Sequence, residues 1–256
     1  MLLGIHLIFP HPTYKMNTID AKWEMRNLGV ETVEITIEAA DDAESLTQDL
    51  SRYEKAYTIV KVPVGHGLPL FNLHKMGYSF IETLTQCYHL GASFNLNPIQ
   101  KRIAQISSSS LMTLEETSNL YREIQAGIFG TDRISLDPRF GPDVANQRYA
   151  YWLQDEIERG SKIYKVEYQH KTIGFFALKM ISADVCFSFL AGLYTDFVRS
   201  GLGFCPHWHG LMEGFRLGAK RVLTTYSSNN RGAAALHMAM GHCLISQYYV
   251  FIKHCF

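Results

Sequence analysis

A glycine-rich turn, Val198-Arg199-Ser200-Gly201-Leu202-Gly203, lies between a predicted strand and a predicted helix, and no other feature constrains the fold of this chain as much. The strand covers residues 185–194, and the helix extends to Leu217. Glycines let the backbone approach a bulky anion, and the first turn of a helix has unpaired N–H groups at the positive end of its dipole. The segment therefore predicts an α/β fold with a pyrophosphate site at the start of this helix.

Two other phosphate-binding motifs do not fit this turn. A dinucleotide fingerprint needs a third glycine or alanine where the chain has Pro206, and an acidic residue about 20 positions further on, where the chain has Lys220 and Arg221. A P-loop needs Gly-Lys followed by Ser or Thr, and the turn has no such sequence. One alternative stays open, in which the glycines only allow the helix to pack tightly.

A second motif follows one strand later. It begins at Asn230 and continues with Ala233, Leu236 and Gly241. Together with the glycine turn, this spacing resembles the GNAT acyltransferase superfamily, in which strand, Gly-x-Gly turn, helix and strand precede Asn-x-x-Ala-x-x-Leu-Tyr-x-x-x-Gly-Phe. The resemblance covers residues 161–256. It implies an α/β (α+β) GNAT fold, with a mixed central sheet flanked by helices, and acyl-CoA as the cofactor.

The resemblance also implies which residues bind the cofactor. Pantetheine would lie along the strand before the turn, whose backbone N–H groups would hold the developing oxyanion of the thioester. The turn would hold the pyrophosphate. The implied cofactor-binding residues are Ala191, Gly192, Leu193, Tyr194, Val198, Arg199, Ser200, Gly201, Leu202, Gly203, Asn230 and Ala233.

Three positions depart from the family pattern. Val198 stands where the family has Arg or Gln, so Arg199 is expected to contact the phosphate from the next position. His242 replaces the final Phe, and His237 replaces the Tyr that protonates the leaving thiolate. Because an imidazolium can donate a proton near neutral pH, His237 is a candidate general acid. The alternative is a helix residue that only packs beneath the cofactor.

Segments outside this core resemble the nucleotide-amino-sugar N-acyltransferases of the dTDP-fucosamine type. The matching stretches are residues 61–63, 73–83, 129–133 and 148–152. The resemblance implies a degenerate GNAT-like domain over residues 1–110 and a catalytic GNAT domain over residues 111–256. The serine run at residues 107–110 is the candidate linker between them.

This finer resemblance implies a substrate. Acetyl-CoA or 3-hydroxybutanoyl-CoA would acylate the amino group of a dTDP-linked amino-dideoxy sugar, for surface polysaccharide biosynthesis. The amine attacks the thioester directly, so no enzyme nucleophile is needed. The implied acceptor-binding residues are Asp132, Arg133, Arg148, Tyr149, Tyr151 and Trp152, with Arg139 and Phe140 as further candidates.

Each residue implied to bind the acceptor also has an explanation that involves no substrate. Guanidinium groups suit the oxygens of a diphosphate, but a single surface arginine is more often only a surface charge. Asp132, Tyr149 and Tyr151 are candidates for the base that deprotonates the amine, and loop capping and aromatic core explain them equally well. No single carboxylate stands out as the base.

Composition and residue spacing argue against several other classes of protein and of binding site. Lys+Arg and Asp+Glu balance at 24 each, so the chain lacks the basic field that nucleic acid binding needs. Five cysteines without a CxxC pair indicate reduced thiols in the cytoplasm. No apolar run approaches the ~18 residues of a membrane helix, and residues 1–9 resemble a first strand more than a signal peptide. His207 and His209 would point to different sides of a helix, so no metal is predicted.

Two other functions stay open. One is acyl transfer to an amine of a protein or of another small molecule, and the other is a CoA-binding regulatory module without catalysis. A homodimer is the expected assembly.

Hydrophobic periodicity predicts strands at residues 32–38, 58–62, 80–90, 162–168, 173–180, 185–194, 222–226 and 247–253, and helices at 41–50, 114–127, 143–160, 204–217 and 231–240.

Overall fold

The structure is a computed structural model that describes residues 16–38, 49–91 and 94–255. It is a mixed α/β protein, as predicted. The strands are β1 (Met16–Asp20), β2 (Thr32–Ile37), β3 (Tyr57–Pro63), β4 (Ser79–His89), β5 (Ser107–Leu111), β6 (Lys162–Tyr168), β7 (Lys171–Ser182), β8 (Val185–Leu193), β9 (Arg221–Ser227) and β10 (Cys243–His254). The helices are α1 (Glu24–Leu28), α2 (Gly67–Lys75), α3 (Pro98–Ile106), α4 (Leu114–Gln125), α5 (Arg133–Leu136), α6 (Gly141–Glu158), α7 (Phe204–Arg216) and α8 (Arg231–Ala239).

The described residues divide into two compact units. One lies within Ile81–Gln247, and the other combines the described residues up to Phe80 with residues 248–255. The predicted linker at residues 107–110 is wrong. These serines form β5, which pairs antiparallel with β6, because backbone pairing tolerates small polar side chains on an exposed strand. The division of function between residues 1–110 and 111–256 stays a prediction.

The unit that contains the N-terminal strands has a mixed sheet in the order β1-β2-β3-β10. Strand β2 pairs antiparallel with β1 and parallel with β3, and β3 pairs antiparallel with β10. Val33, Ile35 and Ile37 alternate along β2 and are buried, as the period of two predicts. The predicted strand at residues 1–9 lies outside the described residues, as does most of the predicted helix at 41–50.

The second unit, Ile81–Gln247, has a sheet in the order β4-β9-β8-β7-β6-β5. Neighbouring strands are antiparallel except for β8 and β9, which are parallel. The predicted hairpin between β6 and β7 is confirmed, and its two turn residues, Gln169 and His170, have φ values of 50° and 62°. Helix α7 contributes Cys205 and Leu211 to the core that this sheet forms with Phe176.

Helix starts in this unit follow local signals with one exception. The capping box of Thr113 and Glu116 begins α4 as predicted. Asp143 does not cap α6, because that helix begins at Gly141, with Pro142 in the first turn where its missing N–H costs nothing. None of the helices in the described ranges combines the length and hydropathy needed to cross a bilayer.

Candidate functional site

The glycine turn has the backbone shape of an anion-binding concavity. After β8, the short 3-10 turn Thr195–Phe197 leads to Arg199 and Gly201, whose φ values are 68° and 81°. Alternation of left-handed and other residues is the backbone pattern of many anion-binding turns, and helix α7 begins directly after this turn at Phe204. Gly201 has no side chain and adopts its left-handed backbone conformation without strain. Arg199 adopts a left-handed conformation too, where its side chain makes the backbone strained.

Three of the six backbone N–H groups of the turn, residues 198–203, donate hydrogen bonds within the protein. The N–H groups of Val198, Ser200 and Leu202 donate to the carbonyl oxygens of Thr195 (3.3 Å) and Phe197 (3.1 Å) and to the hydroxyl of Ser200 (3.2 Å). The amides of Arg199, Gly201 and Gly203 have no acceptor in the part of the chain that the structure describes. All three residues are exposed, so these donors and the start of α7 are open to an anion.

Strands β8 and β9 part from each other in front of this turn. Their parallel pairing covers only residues 185–187 and 221–223. Beyond that point β8 continues to Leu193 and β9 to Ser227 without pairing to each other. Phe189 is the extra residue of a bulge opposite β7, where Ala177 pairs with Leu190 and Leu178 with Ser188. The predicted thioester residues, Ala191 to Tyr194, lie along the part of the chain that β9 does not cover.

The second motif begins α8. The side-chain oxygen of Asn230 accepts a hydrogen bond of 2.9 Å from the amide of Ala233, so Asn230 caps the helix. Helix capping by itself therefore explains why Asn230 and Ala233 are three residues apart. Their contact with a cofactor stays a prediction.

Among the predicted acceptor residues, Asp132 and Arg133 have polar partners whose distances are clear. Asp132 caps α5, with Oδ1 2.9 Å from the amide of Ile134 and Oδ2 2.6 Å from the hydroxyl of Ser135. The guanidinium of Arg133 lies 3.8 Å from the buried carboxylate of Glu82. The role of Asp132 corresponds to the loop-capping alternative. Arg133 is not the surface charge of the other alternative, because its side chain is mostly buried and pairs with Glu82. Arg148 and Tyr151 lie on α6 and are partly buried.

The aromatic acceptor candidates pack beside the open part of β8. The ring centroid of Tyr149 lies 4.7 Å from that of Phe129, and the ring of Trp152 lies 5.5 Å from that of Phe189. Phe129 in turn covers Gly192, where an added β-carbon would meet its ring at 3.3 Å. Burial raises the pKa of Tyr149, so its phenol stays protonated. Helix α6 therefore places an aromatic wall next to the predicted thioester strand.

A group of histidines in the Ile81–Gln247 unit was not predicted. We call Cys87, His207, His237 and His242 the histidine cluster; they come from β4, α7, α8 and the turn after α8. The ring centroids of the three histidines lie 4.4–4.8 Å apart. The ligand atoms of Cys87, His237 and His242 lie within 4.8 Å of one another. His89 packs beside the cluster, with its ring centroid 5.1 Å from that of His242.

Hydrogen bonds define how the cluster is oriented. Nδ1 of His237 lies 2.6 Å from the carbonyl oxygen of Ala233, and Nδ1 of His242 lies 3.2 Å from that of His237. A carbonyl only accepts, so both Nδ1 atoms carry the proton and both Nε2 atoms have a lone pair when the rings are neutral. His207 Nε2 lies 3.1 Å from His242 Nε2.

Burial favours the neutral form of these rings. It lowers the pKa of His237 and of His207, and it lowers that of His242 to about 3. A general acid must be protonated before it acts, so the low pKa and the Nδ1 bond to Ala233 weigh against the role predicted for His237. Its catalytic role stays a prediction.

The expected divergence of His207 and His209 is confirmed. His209 Nε2 lies 2.9 Å from the hydroxyl of Ser107, whereas His207 faces the cluster. One signal of the cluster was present in the sequence. His237 and His242 have four residues between them, which falls within the spacing of paired zinc-binding histidines. Cys87 and His207 carry no such local signal.

Comparisons with known proteins give the fold but no sequence family. No family model matches the sequence, and no curated protein matches it. The structure is similar to a GCN5-related N-acetyltransferase from Sphaerobacter thermophilus, with a TM-score of 0.62 and 10% identity over 93% of this chain and 76% of that one. The chain has the GNAT fold.

Two further structures agree with this assignment. A GCN5-related N-acetyltransferase from Kribbella flavida has a TM-score of 0.56 and 12% identity, over 87% of this chain and 81% of that one. A GCN5-related glucosamine N-acetyltransferase region of a fungal multi-domain enzyme has a TM-score of 0.55 and 11% identity, over 76% of this chain and 25% of that one. The predicted GNAT fold is thus confirmed.

Proposed function

We propose that this protein transfers an acyl group from acyl-CoA to a primary amine. One observation carries the proposal: the amides of Arg199, Gly201 and Gly203 are unengaged among the described residues, at the start of α7 and a few residues after the part of β8 that does not pair with β9. A diphosphate fits these donors, and the open edge of β8 fits the amide groups of pantetheine. Arg199 is exposed beside the turn and adds a positive charge.

The chemistry needs few protein groups. The amine nitrogen forms a bond to the thioester carbonyl carbon, the C–S bond breaks, and the sulfur leaves as a thiolate that takes up a proton. The amine loses a proton to a base or to water. Backbone N–H groups of β8 would stabilise the oxyanion, and alignment of the two reactants supplies much of the rate.

The group that protonates the thiolate has two candidates. His237 was predicted from its position in the second motif, and burial favours its neutral form. Tyr226 lies in the part of β9 beyond its pairing with β8, and its ring centroid is 4.9 Å from that of His237. Comparison of His237→Phe and Tyr226→Phe separates them, because loss of the acid slows turnover more than it weakens CoA binding.

For the acceptor we propose an amino sugar carried on a nucleotide, such as a dTDP-linked amino-dideoxy sugar, with acetyl-CoA or 3-hydroxybutanoyl-CoA as the donor. The aromatic wall of Tyr149 and Trp152 beside β8 suits a base or a sugar ring. The fungal glucosamine N-acetyltransferase region shows that a protein of this fold acts on an amino sugar. The ion pair of Arg133 with Glu82 leaves less of its charge for a diphosphate.

The test is release of free thiol from each acyl-CoA with a panel of amines. The panel contains dTDP-amino sugars, the same amino sugars without nucleotide, a polyamine, an aminoglycoside and a peptide with a free N-terminus. Turnover with the dTDP-amino sugars alone supports the full proposal, whereas turnover with another amine supports acyl transfer and contradicts the acceptor. CoA binding without turnover on any amine would support a regulatory module instead.

A further inference from the structure

We propose that Cys87, His207, His237 and His242 form a four-coordinate binding site for a divalent metal ion of the zinc class. The site would use Sγ of Cys87 and Nε2 of each histidine. It lies within the Ile81–Gln247 unit and shares no residue with the glycine turn or the open part of β8. The inference does not rest on the proposed acyl transfer, but a His237 that binds the ion cannot protonate the thiolate, which leaves Tyr226 as the candidate acid.

The first argument is an unpartnered nitrogen. His237 is 6% exposed, and its Nε2, although fully buried, has no hydrogen-bond partner among the described residues. A buried polar atom without a partner is costly, and few native proteins keep one without a reason. Because Nδ1 of His237 donates to the carbonyl of Ala233, the unpartnered Nε2 presents a lone pair.

The second argument is the direction of the neighbouring donors. His242 also donates from Nδ1 to a backbone carbonyl, so its Nε2 presents a lone pair to the same cluster. Histidines that bind metals usually donate their other ring N–H to a carbonyl or carboxylate in this way, which sets the ring and its tautomer. Two lone pairs and a thiol sulfur that converge in a buried space are stabilised by a cation.

The ligand atoms of Cys87, His237 and His242 must move closer together to bind one ion, and His207 joins them through His242. Zn–N bonds of about 2.0–2.1 Å and Zn–S bonds of about 2.3 Å place the ligand atoms of a tetrahedral site roughly 3.3–3.7 Å apart. The Nε2 atoms of His207 and His242 are 3.1 Å apart. The ligand atoms of Cys87, His237 and His242 lie within 4.8 Å of one another, so rotation of their side chains could close the site.

The donor set selects the metal class. Imidazole and thiolate ligands without a carboxylate suit Zn²⁺ and not Mg²⁺ or Ca²⁺, which need oxygen ligands. Metal binding would displace the thiol proton of Cys87 to solvent, which leaves one thiolate to balance part of the ion's charge. The proton that His207 Nε2 donates to His242 Nε2 would move to Nδ1 of His207, so that both Nε2 atoms can bind the ion. His89 would not be a ligand, because its Nε2 bonds the carbonyl of Met240 and its Nδ1 accepts from the amide of Gly91.

Four protein ligands would make the site structural, since a catalytic zinc keeps one position for water. The ion would tie β4 and the end of α8 to the first turn of α7, which contains His207. That first turn directly follows the glycine turn. We therefore expect the metal to stabilise the fold around the start of α7.

The experiment uses the full chain, stripped with a chelator and titrated with Zn²⁺ against a chromogenic competitor. We expect one Zn²⁺ per chain and a rise in Tm of a few degrees that a chelator reverses. With Co²⁺ in place of Zn²⁺, we expect the intense visible absorption of a tetrahedral site and a thiolate-to-cobalt charge-transfer band. No binding of Zn²⁺ by the wild-type protein at equimolar, micromolar concentration would overturn the proposal.

Variants identify the ligands. His207→Gln, His237→Gln and His242→Gln should each weaken Zn²⁺ binding at least about a hundredfold, and Cys87→Ala should remove the charge-transfer band. His209→Gln is the matched control, because His209 is on the same helix and bonds Ser107 instead. Cys186→Ala is the control for a buried strand cysteine.

Circular dichroism shows whether each variant is folded, and the wild-type Tm shift remains a test if one is not. Wild-type affinity in all three histidine variants, or a charge-transfer band that survives Cys87→Ala, would refute the site.

Discussion

Gly174 in β7 lies so close to Gly192 in β8 that a β-carbon on Gly174 would overlap the carbonyl oxygen of Gly192. It would also stand 2.9 Å from the Cα of Leu193, the residue that pairs with Gly174. Both obstacles are backbone atoms, which cannot rotate away as a side chain can. The close approach lies in the part of β8 that is open toward β9.

We expect Gly174→Ala to push β8 away from β7. The strain of overpacking should lower the free energy of unfolding by about 1–3 kcal/mol, and the displaced strand should bind CoA more weakly. Urea denaturation and calorimetric titration with CoA measure the two effects. Gly67→Ala is the control, because an added β-carbon there meets no atom within 4 Å and the backbone needs no glycine. Equal stability of the wild type and Gly174→Ala would contradict the close approach.

A second prediction tests whether the glycine turn matters for CoA binding beyond the loss of stability that backbone strain causes. Gly201 and Gly160 both have left-handed backbones, with φ values of 81° and 90°, and an added β-carbon would meet nothing within 4 Å at either. Alanine at either position should therefore cost ~1–2 kcal/mol of stability. Only Gly201→Ala should weaken CoA binding, by roughly tenfold or ~1.4 kcal/mol. Equal CoA affinity of the two variants would count against a pyrophosphate site at the turn.

A third prediction concerns a buried carboxylate at the end of α6. Glu156 is 1% exposed and accepts hydrogen bonds from Lys179 (2.9 Å), Arg159 (3.3 Å) and Ser161 (2.9 Å). Glu156→Gln leaves Lys179 without its counter-charge in a partly buried position, and we expect a loss of about 2 kcal/mol in urea denaturation. Glu158→Gln, an exposed change on the same helix, should stay within ~0.5 kcal/mol of the wild type. A similar small effect of both variants would show that the network contributes little.

A fourth prediction is a pH dependence of stability. Arg216 forms two hydrogen bonds of 2.6 Å with Glu213 and holds the pKa of that carboxyl below its ordinary value of 4.5. The folded protein therefore binds this proton less readily than the unfolded chain does. Glu213 contributes stability above about pH 4.5, and the contribution disappears as the pH falls through the folded pKa.

The measurement for Glu213 is urea denaturation of the wild type and of Glu213→Gln across this range. The difference between the two proteins should be largest near neutral pH and should shrink in acid. It should be modest, because the side chain of Arg216 is 69% exposed and its charge is screened by solvent. A difference that does not change with pH would mean that the pair has no electrostatic effect on folding.

Local patterns account for the elements that were predicted correctly. Alternation of apolar residues predicted β2, the turn at Gln169 and His170 predicted the β6–β7 hairpin, and the capping box at Thr113 predicted the start of α4. Each of these signals depends on residues within one or two turns of chain. The glycine turn belongs to the same class, because its shape follows from Gly201 and the adjacent helix start.

The sequence alone determined the order of strands and longer helices in the second half of the chain, because periodicity, caps and turns are local properties. It missed the short helix α5, which lies in a segment predicted as a loop. Only the tertiary structure decided that the serine run at residues 107–110 is a strand, since an exposed strand is specified by its partner β6. It alone also brought Cys87 and His207 to His237 and His242. These residues are up to 155 positions apart, and they meet because β4 lies next to β9 in the sheet on which α7 packs.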